Sequence, residues 1–241
     1  MKELTKGNHM MKSLTFLLIG SCAIALTACG TGAEKVLEKD PSHTKTVSQK
    51  VPSKTTTAKK TPLQQVIHAH KKALFYDPTA PIMGNPDGDV TLVKFFDYNC
   101  GYCRKMNKVV EDMAKKDPSL RVVLRPLPML GENSKLAAIM AIAAHKQGKF
   151  EVLHNAFMKS SGHLGQKQLI ALAKKVKLDM AQLNTDMQSG DANNFMKETF
   201  KLANALKIRG VPATVTKDTI VNGFRPLKDL KQLVANQRAT Q

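Results

Sequence analysis

The sequence predicts an α/β protein: a βαβ unit, a long block of helices set into it, and a closing β-hairpin and helix. Three observations carry this. Residues 90–96 form an apolar strand-like run that leads almost at once into a helical pattern. A second apolar run, Leu120 to Leu127, follows that helix and so makes a parallel partner if the crossover is right-handed. Residues 132–207 then keep helical spacing throughout, too long for a single crossover, before two short strand-like runs and an amphipathic tail.

The chain has 241 residues, 42% of them hydrophobic, which suffices for one sizeable domain with appendages. Its formal net charge is +18, yet the lysines are scattered and no aromatic-basic motif or recognition helix accompanies them. The charge is therefore read as favouring solubility and loose attraction to anionic surfaces, and nucleic acid is not an expected partner.

Taken in order, residues 1–29 read as a secretory signal. A basic start, with Met1, Met10 or Met11 as the initiator, precedes the apolar run LTFLLIGSCAIAL, which is too short to span a bilayer comfortably. The run ends in Leu26-Thr27-Ala28-Cys29-Gly30, which resembles a bacterial lipobox; Cys29 is then the lipidated residue, and Gly30 after it implies outer-membrane sorting. Ordinary cleavage after Ala28 is the alternative, and it would leave an odd thiol in an oxidising compartment. Residues 30–61, rich in Lys, Thr, Ser and Pro, read as a disordered tether. A flexible chain of that size reaches ~30 Å.

Residues 62–76 (PLQQVIHAHKKALFY) return to helical spacing, with Leu63, Val66, Ile67, His70 and Leu74 on one stripe. Pro62 suits a first helical turn and Asp77-Pro78 a stop, so residues 62–80 form an N-terminal helical element. Its stripe must be buried either on its own domain or against a second copy of the chain. The remainder, residues 81–241, forms the main domain. Pro81-Ile82-Met83-Gly84 is a short edge strand, and Asn85 to Asp89 is a turn. Asp117-Pro118 ends the helix after residue 103. The helical block resolves into runs at 134–147, 150–160, 166–176, 180–187 and 191–208, parted by Gly148, Ser161-Gly162 and Ser189-Gly190. Its histidines, His145, His154 and His163, are expected to face solvent, and its methionines to fill core. Pro212 stands at the mouth of the first short strand, with residues 219–223 as the second and 226–236 as the last helix.

The chemistry concentrates at Cys100-Gly101-Tyr102-Cys103, where the apolar strand turns into the helix. A thiol at a helix start lies at the positive end of the helix dipole, which favours its thiolate. Cys100 is thus the candidate nucleophile, and Cys103, one turn deeper on the same face, the resolving thiol. Zinc is a poor alternative, because no second pair of cysteines accompanies this one. A purely structural bridge over so short a loop would constrain little chain entropy.

Cys100-Gly101-Tyr102-Cys103 after an apolar strand, a helical block, and then Gly210-Val211-Pro212-Ala213-Thr214 before a hairpin and helix resemble the DsbA family of thiol:disulfide oxidoreductases. The resemblance implies a thioredoxin-like fold with a helical insertion at about 132–207. It makes Cys100, Gly101, Tyr102 and Cys103 the catalytic motif, and Val211 with a cis-Pro212 the place where an extended substrate strand pairs. It implies exported cysteine-containing proteins as substrates and a DsbB-type or DsbD-type membrane redox partner. No dissociable cofactor is implied, nor any membrane contact beyond a lipid anchor. The branch with an N-terminal dimerisation segment is the most similar, which favours a homodimer through residues 62–76. One departure stands out: where the family often has an acid, six positions before the first cysteine, this chain has Lys94. Lys94 is expected either to snorkel to solvent or to favour the Cys100 thiolate. A copper-binding module, with Cys100 and Cys103 holding the ion, is the alternative of a different class.

Overall fold

The computed structural model describes residues 60–240; the expected signal sequence, Cys29 and nearly all of the expected tether fall outside the described residues. Helix α1 (Pro62–Ala69) opens with a reciprocal cap, Gln64 N–H donating to Thr61 Oγ1 and Thr61 N–H to Gln64 Oε1. It stops at His70, and α2 (Lys71–Phe75) resumes at a new angle of backbone, so the single helix expected over 62–76 is two short ones. Both bury their apolar residues within their own domain: Ile67, Leu74 and Phe75 join its core, while Leu63 and Tyr76 stay exposed.

Strand β1 (Ile82–Gly84) lies at the sheet edge, as expected for a run begun by a proline. It ends on Gly84 at φ +82, where a Cβ would lie 2.4 Å from the Leu120 carbonyl oxygen; glycine is required there. Strand β2 (Val90–Phe96), helix α3 (Gly101–Lys116) and strand β3 (Leu120–Pro126) make the βαβ unit, with β2 and β3 parallel. The insertion comprises α4 (Glu132–Lys146), α5 (Phe150–Lys159), α6 (Gln166–Lys175), α7 (Met180–Gln188) and α8 (Asp191–Ala205). The hairpin of β4 (Ala213–Val215) and β5 (Ile220–Asn222) follows, then α9 (Leu227–Ala239), longer by one turn than its sequence pattern. The sheet order is β1-β3-β2-β4-β5, with β1 antiparallel to β3 and β4 antiparallel to β2.

Side-chain alternation sorts two buried cations onto opposite faces of the sheet. Lys94 is level with Leu124 on β3, so Arg125 points the other way. Arg125 is fully buried beneath the N-terminal helices: Nη2 donates to Asp77 Oδ2 at 2.8 Å and to the Ala73 carbonyl, and its guanidinium lies 4.7 Å from the Phe195 ring centroid. This pair fastens the N-terminal element to β3 and α8. On the other face Lys94 meets α3, which also packs against α9.

Two expectations fail on this face. His154, expected at the surface, is completely buried between Phe96, Tyr98 and Phe150. Burial, with Lys94 and Lys159 nearby, holds it neutral, its pKa well below the usual histidine range. Lys94 neither snorkels nor acts chiefly on Cys100; it is 1% exposed and its ammonium donates to Asn107 Oδ1 at 2.5 Å. The chain gives the side chain no route to solvent, because β2 is the central strand.

Candidate active site

The site forms where β2 hands over to α3. Asp97 ends the strand, and its buried carboxylate gathers the surrounding backbone: Oδ1 accepts from Asn99 N–H at 2.7 Å, Oδ2 from Met129 and Leu130 N–H at 2.8 and 3.0 Å. Asn99 then accepts from Leu164 N–H at 2.7 Å, and Arg104 donates to the Tyr98 and Gly162 carbonyls. The helical insertion is thereby docked on the loop that carries Cys100. Asp97 and Asn99 left a local trace in the sequence, an Asx turn closing a strand. Their partners, 32 and 65 residues away, left none.

Cys100 is the N-cap of α3, and its sulfur accepts from Cys103 N–H at 3.2 Å. Its thiol also faces the Val211 carbonyl, 3.6 Å from Sγ to oxygen. The hydrogen bond from the Cys103 thiol, joined by the Cys103 and Tyr102 N–H groups, outweighs burial and Asp97 and draws the Cys100 pKa down to about 6. Cys103 is completely buried and its pKa is pushed far up, by burial first and then by the hydrogen bond it gives Cys100; the Lys94 charge acts in the opposite sense. The two thiols are unbridged and unlike: one ionises readily, the other holds its proton.

Gly101 and Tyr102 fill the first turn of α3. A Cβ on Gly101 would meet nothing within 4 Å, so this glycine answers no steric need. Tyr102 is 63% exposed, near Phe224 of the loop after β5 and with Lys105 Nζ 5.4 Å from its ring centroid. The Val211–Pro212 peptide is cis, and the Pro212 carbonyl accepts from Gly223 N–H at 2.8 Å. The structure thus brings Cys100, Cys103, Tyr102, Val211 and Pro212 to one place, with Met129 and Leu130 exposed on the loop that Asp97 holds. Cys29 lies outside the described residues. No group of three or more His, Cys, Asp or Glu suited to a metal ion occurs among the described residues, and none of their helices is long and apolar enough to cross a membrane.

The sheet order, the inserted helices and the paired thiols at a helix N-terminus define a thioredoxin-like oxidoreductase. The chain belongs to the DsbA-like thioredoxin domain family, which matches residues 91–235. Among solved structures it is 41% identical to a thioredoxin-like oxidoreductase from Silicibacter pomeroyi, over 70% of this chain and 98% of that one, with a TM-score of 0.68. It is 28% identical to the catalytic domain of Proteus mirabilis ScsC over 73% of this chain and 98% of that one, also at a TM-score of 0.68. A probable disulfide bond formation protein D of Bacillus cereus is 24% identical over 62% of this chain and 75% of its own. The match also extends to a Na(+)/H(+) antiporter NhaA of Salinispora tropica, 25% identical over 60% of this chain, but spans only 22% of that protein's length.

Proposed function

We propose that the chain catalyses thiol–disulfide exchange on cysteines of exported proteins in the bacterial cell envelope. The observation that carries the reading is the asymmetry of the pair: Cys100, capping α3 with its pKa drawn down to about 6, above a buried Cys103 whose thiol is held protonated. In the oxidised form, a substrate thiolate attacks Cys100 Sγ and Cys103 leaves; a second substrate thiol then attacks the mixed disulfide, leaving the substrate bridged and Cys100 and Cys103 reduced. In isomerisation, the Cys100 thiolate attacks a substrate bridge, and either a substrate thiol reforms a different bridge or Cys103 releases the substrate reduced. Cys100, Gly101, Tyr102 and Cys103 form the catalytic turn. Val211 and Pro212 supply the backbone against which an extended substrate segment lies. Exposed Tyr102, Met129 and Leu130 support the reading by offering apolar surface beside the nucleophile.

The reading includes lipidation at Cys29, with the tether carrying the domain clear of the outer membrane, and a redox partner of DsbB type for oxidation or DsbD type for isomerisation. It also includes a homodimer through residues 62–76, which rests on the outer face of that segment, Leu63 and Tyr76, since its inner face is occupied. Sedimentation of the chain with and without Leu63→Ser and Tyr76→Ser tests the dimer; a monomer before substitution refutes it. The deciding measurement for the activity is the reduction potential of Cys100 and Cys103 against glutathione. A value of roughly −120 to −180 mV fits an oxidase or isomerase, and one near −270 mV refutes that direction.

A further inference from the structure

The cations along α3 differ in what they face. From Lys108 to Lys115 they are paired within the chain: Lys108 with Asp112 at 3.3 Å, and Lys115 with Glu111 at 2.7 Å, where Lys159 of α5 joins at 3.0 Å. Around Cys100 the cations have no such partners. Lys105 is exposed and holds its ammonium 5.4 Å from the ring centroid of exposed Tyr102. Tyr102 in turn faces Phe224, with 6.5 Å between ring centroids, and the next residue, Arg225, donates to the Asn222 carbonyl at 3.2 Å. Arg209, exposed two residues before Val211, donates to the neutral Asn204 Oδ1 at 3.3 Å. Among the described residues, Lys105, Arg209 and Arg225 form no ion pair.

The acidic groups of this end of the sheet do not offset that rim. Asp97 is buried, and its carboxylate is shared among three backbone N–H groups. Glu132 and Asp229 are exposed but lie in the first turns of α4 and α9, where the helix dipole already draws on their charge. Arg104 is spoken for as well: it is half-buried, donates to the Tyr98 and Gly162 carbonyls, and its charge acts on Asp97 and Cys100 within the site. Lys105, Arg209 and Arg225 are left to face whatever comes to the nucleophile. Exposed charges act over a Debye length, ~8 Å at physiological salt, which exceeds the 5.4 and 6.5 Å separations of the Lys105, Tyr102 and Phe224 corner.

We propose that this rim is a specificity surface for acidic substrates, in which Lys105 and Arg225 draw in protein segments whose reacting cysteine is flanked by aspartate or glutamate. This deepens the thiol–disulfide exchange proposed above and rests on it. The segment lies along Val211 and Pro212 with its cysteine at Cys100. Its neighbouring carboxylates meet the ammonium over Tyr102 and the guanidinium that follows Phe224, and the two rings cover the apolar atoms between them. Complementary charge of this kind speeds encounter by roughly 10- to 1000-fold and falls off with salt. A basic segment meets like charge at the same corner and is turned away, so the rim discriminates as well as attracts.

The test uses reduced full-length protein in a Cys22→Ser, Cys29→Ser background, so that Cys100 and Cys103 alone react, and peptides whose single cysteine carries a thionitrobenzoate disulfide. Two glutamates, two glutamines or two lysines flank that cysteine on each side. The Cys100 thiolate attacks the peptide sulfur, the Cys100–peptide bond forms, and thionitrobenzoate leaves as a thiolate with the electron pair. Cys103 then displaces the peptide, which leaves as the thiol with the proton that Cys103 gives up. At low salt, thionitrobenzoate release should be at least ~10-fold faster from the glutamate peptide than from the lysine peptide, and the ratio should fall to within ~2-fold at ~1 M salt, where the Debye length is ~3 Å. In Lys105→Gln with Arg225→Gln the low-salt ratio should drop below ~3-fold. Lys116→Gln with Lys231→Gln removes the same charge at the far end of α3 and should leave the ratio as it was. Equal rates for the two peptides overturn the proposal, as does a ratio that survives in the Lys105 and Arg225 variant or falls as far in the Lys116 and Lys231 one. Should the first variant not fold, a ratio in the unaltered protein that is the same at low and high salt overturns it equally. A glutamine peptide that releases no thionitrobenzoate, or whose mixed disulfide persists by mass, instead overturns the exchange reading on which the proposal rests.

Discussion

The stabilised Cys100 thiolate makes a quantitative prediction for the reduced protein. In the unfolded chain this thiol returns to the ordinary cysteine value of ~8.5, whereas in the fold it is drawn down to about 6. A depressed acid pKa contributes stability above the unfolded value and loses it as pH falls through the folded one. Linkage over those two values gives ~1.4 kcal/mol at pH 7 and under ~0.1 kcal/mol at pH 5. Solvent reaching the mouth of the site reduces the pH 7 figure to ~1 kcal/mol. Substitution of Cys100 by Ser removes the titration, so the assay is a double difference: urea unfolding of reduced protein and of Cys100→Ser at pH 5 and pH 7. The reduced protein should gain ~1 kcal/mol over Cys100→Ser between the two pH values, with the contributions of Lys94 and His154 common to both proteins and cancelling. Because the oxidised form lacks the thiolate, the same energy moves the reduction potential ~20–30 mV toward the oxidising side. Equal pH responses of the two proteins would refute the thiolate argument.

Replacing Asp77 by Asn should destabilise the protein by ~3 kcal/mol in urea unfolding, since it strands the buried Arg125 charge that the carboxylate faces at 2.8 Å. Asp97→Asn should cost ~2–3 kcal/mol by weakening its three backbone hydrogen bonds, and should raise the iodoacetamide reactivity of Cys100 at pH 5.5 because the opposing negative charge is gone. His154 is neutral in the fold and takes a proton on unfolding below its ordinary ~6.5, so it should contribute up to ~1.4 kcal/mol of lost stability per pH unit below that point; in His154→Gln that part of the acid sensitivity should vanish. Gly101→Ala should raise the melting temperature, by a stabilisation of up to ~1 kcal/mol, because the added Cβ meets no atom and the helix start loses a flexible residue.

Much of this protein was written in local pattern. The apolar run at 90–96, the proline that stops α3 after Lys116, and the glycines and serines between the inserted helices place elements within a few residues, because each depends on neighbours in the chain. The thiol pair and the Val211-Pro212 pair were equally legible as residue types. What sequence by itself does not determine is what lies beside each side chain. The period of residues 62–76 demanded burial of a stripe, but only the fold shows that Ile67, Leu74 and Phe75 find their cover in the home core. His154 has the spacing of an ordinary helix residue, and it is buried because α5 happens to cross α3 over the aromatic ring of Tyr98. Lys94 carries no sign in the sequence of being inside. The sheet makes its strand central, the inserted helix α5 closes the space above it, and a cation that any surface strand would send to water is kept next to Asn107. Period and propensity are properties of neighbours along the chain, whereas the charge of a buried group is set by what the fold brings across from elsewhere.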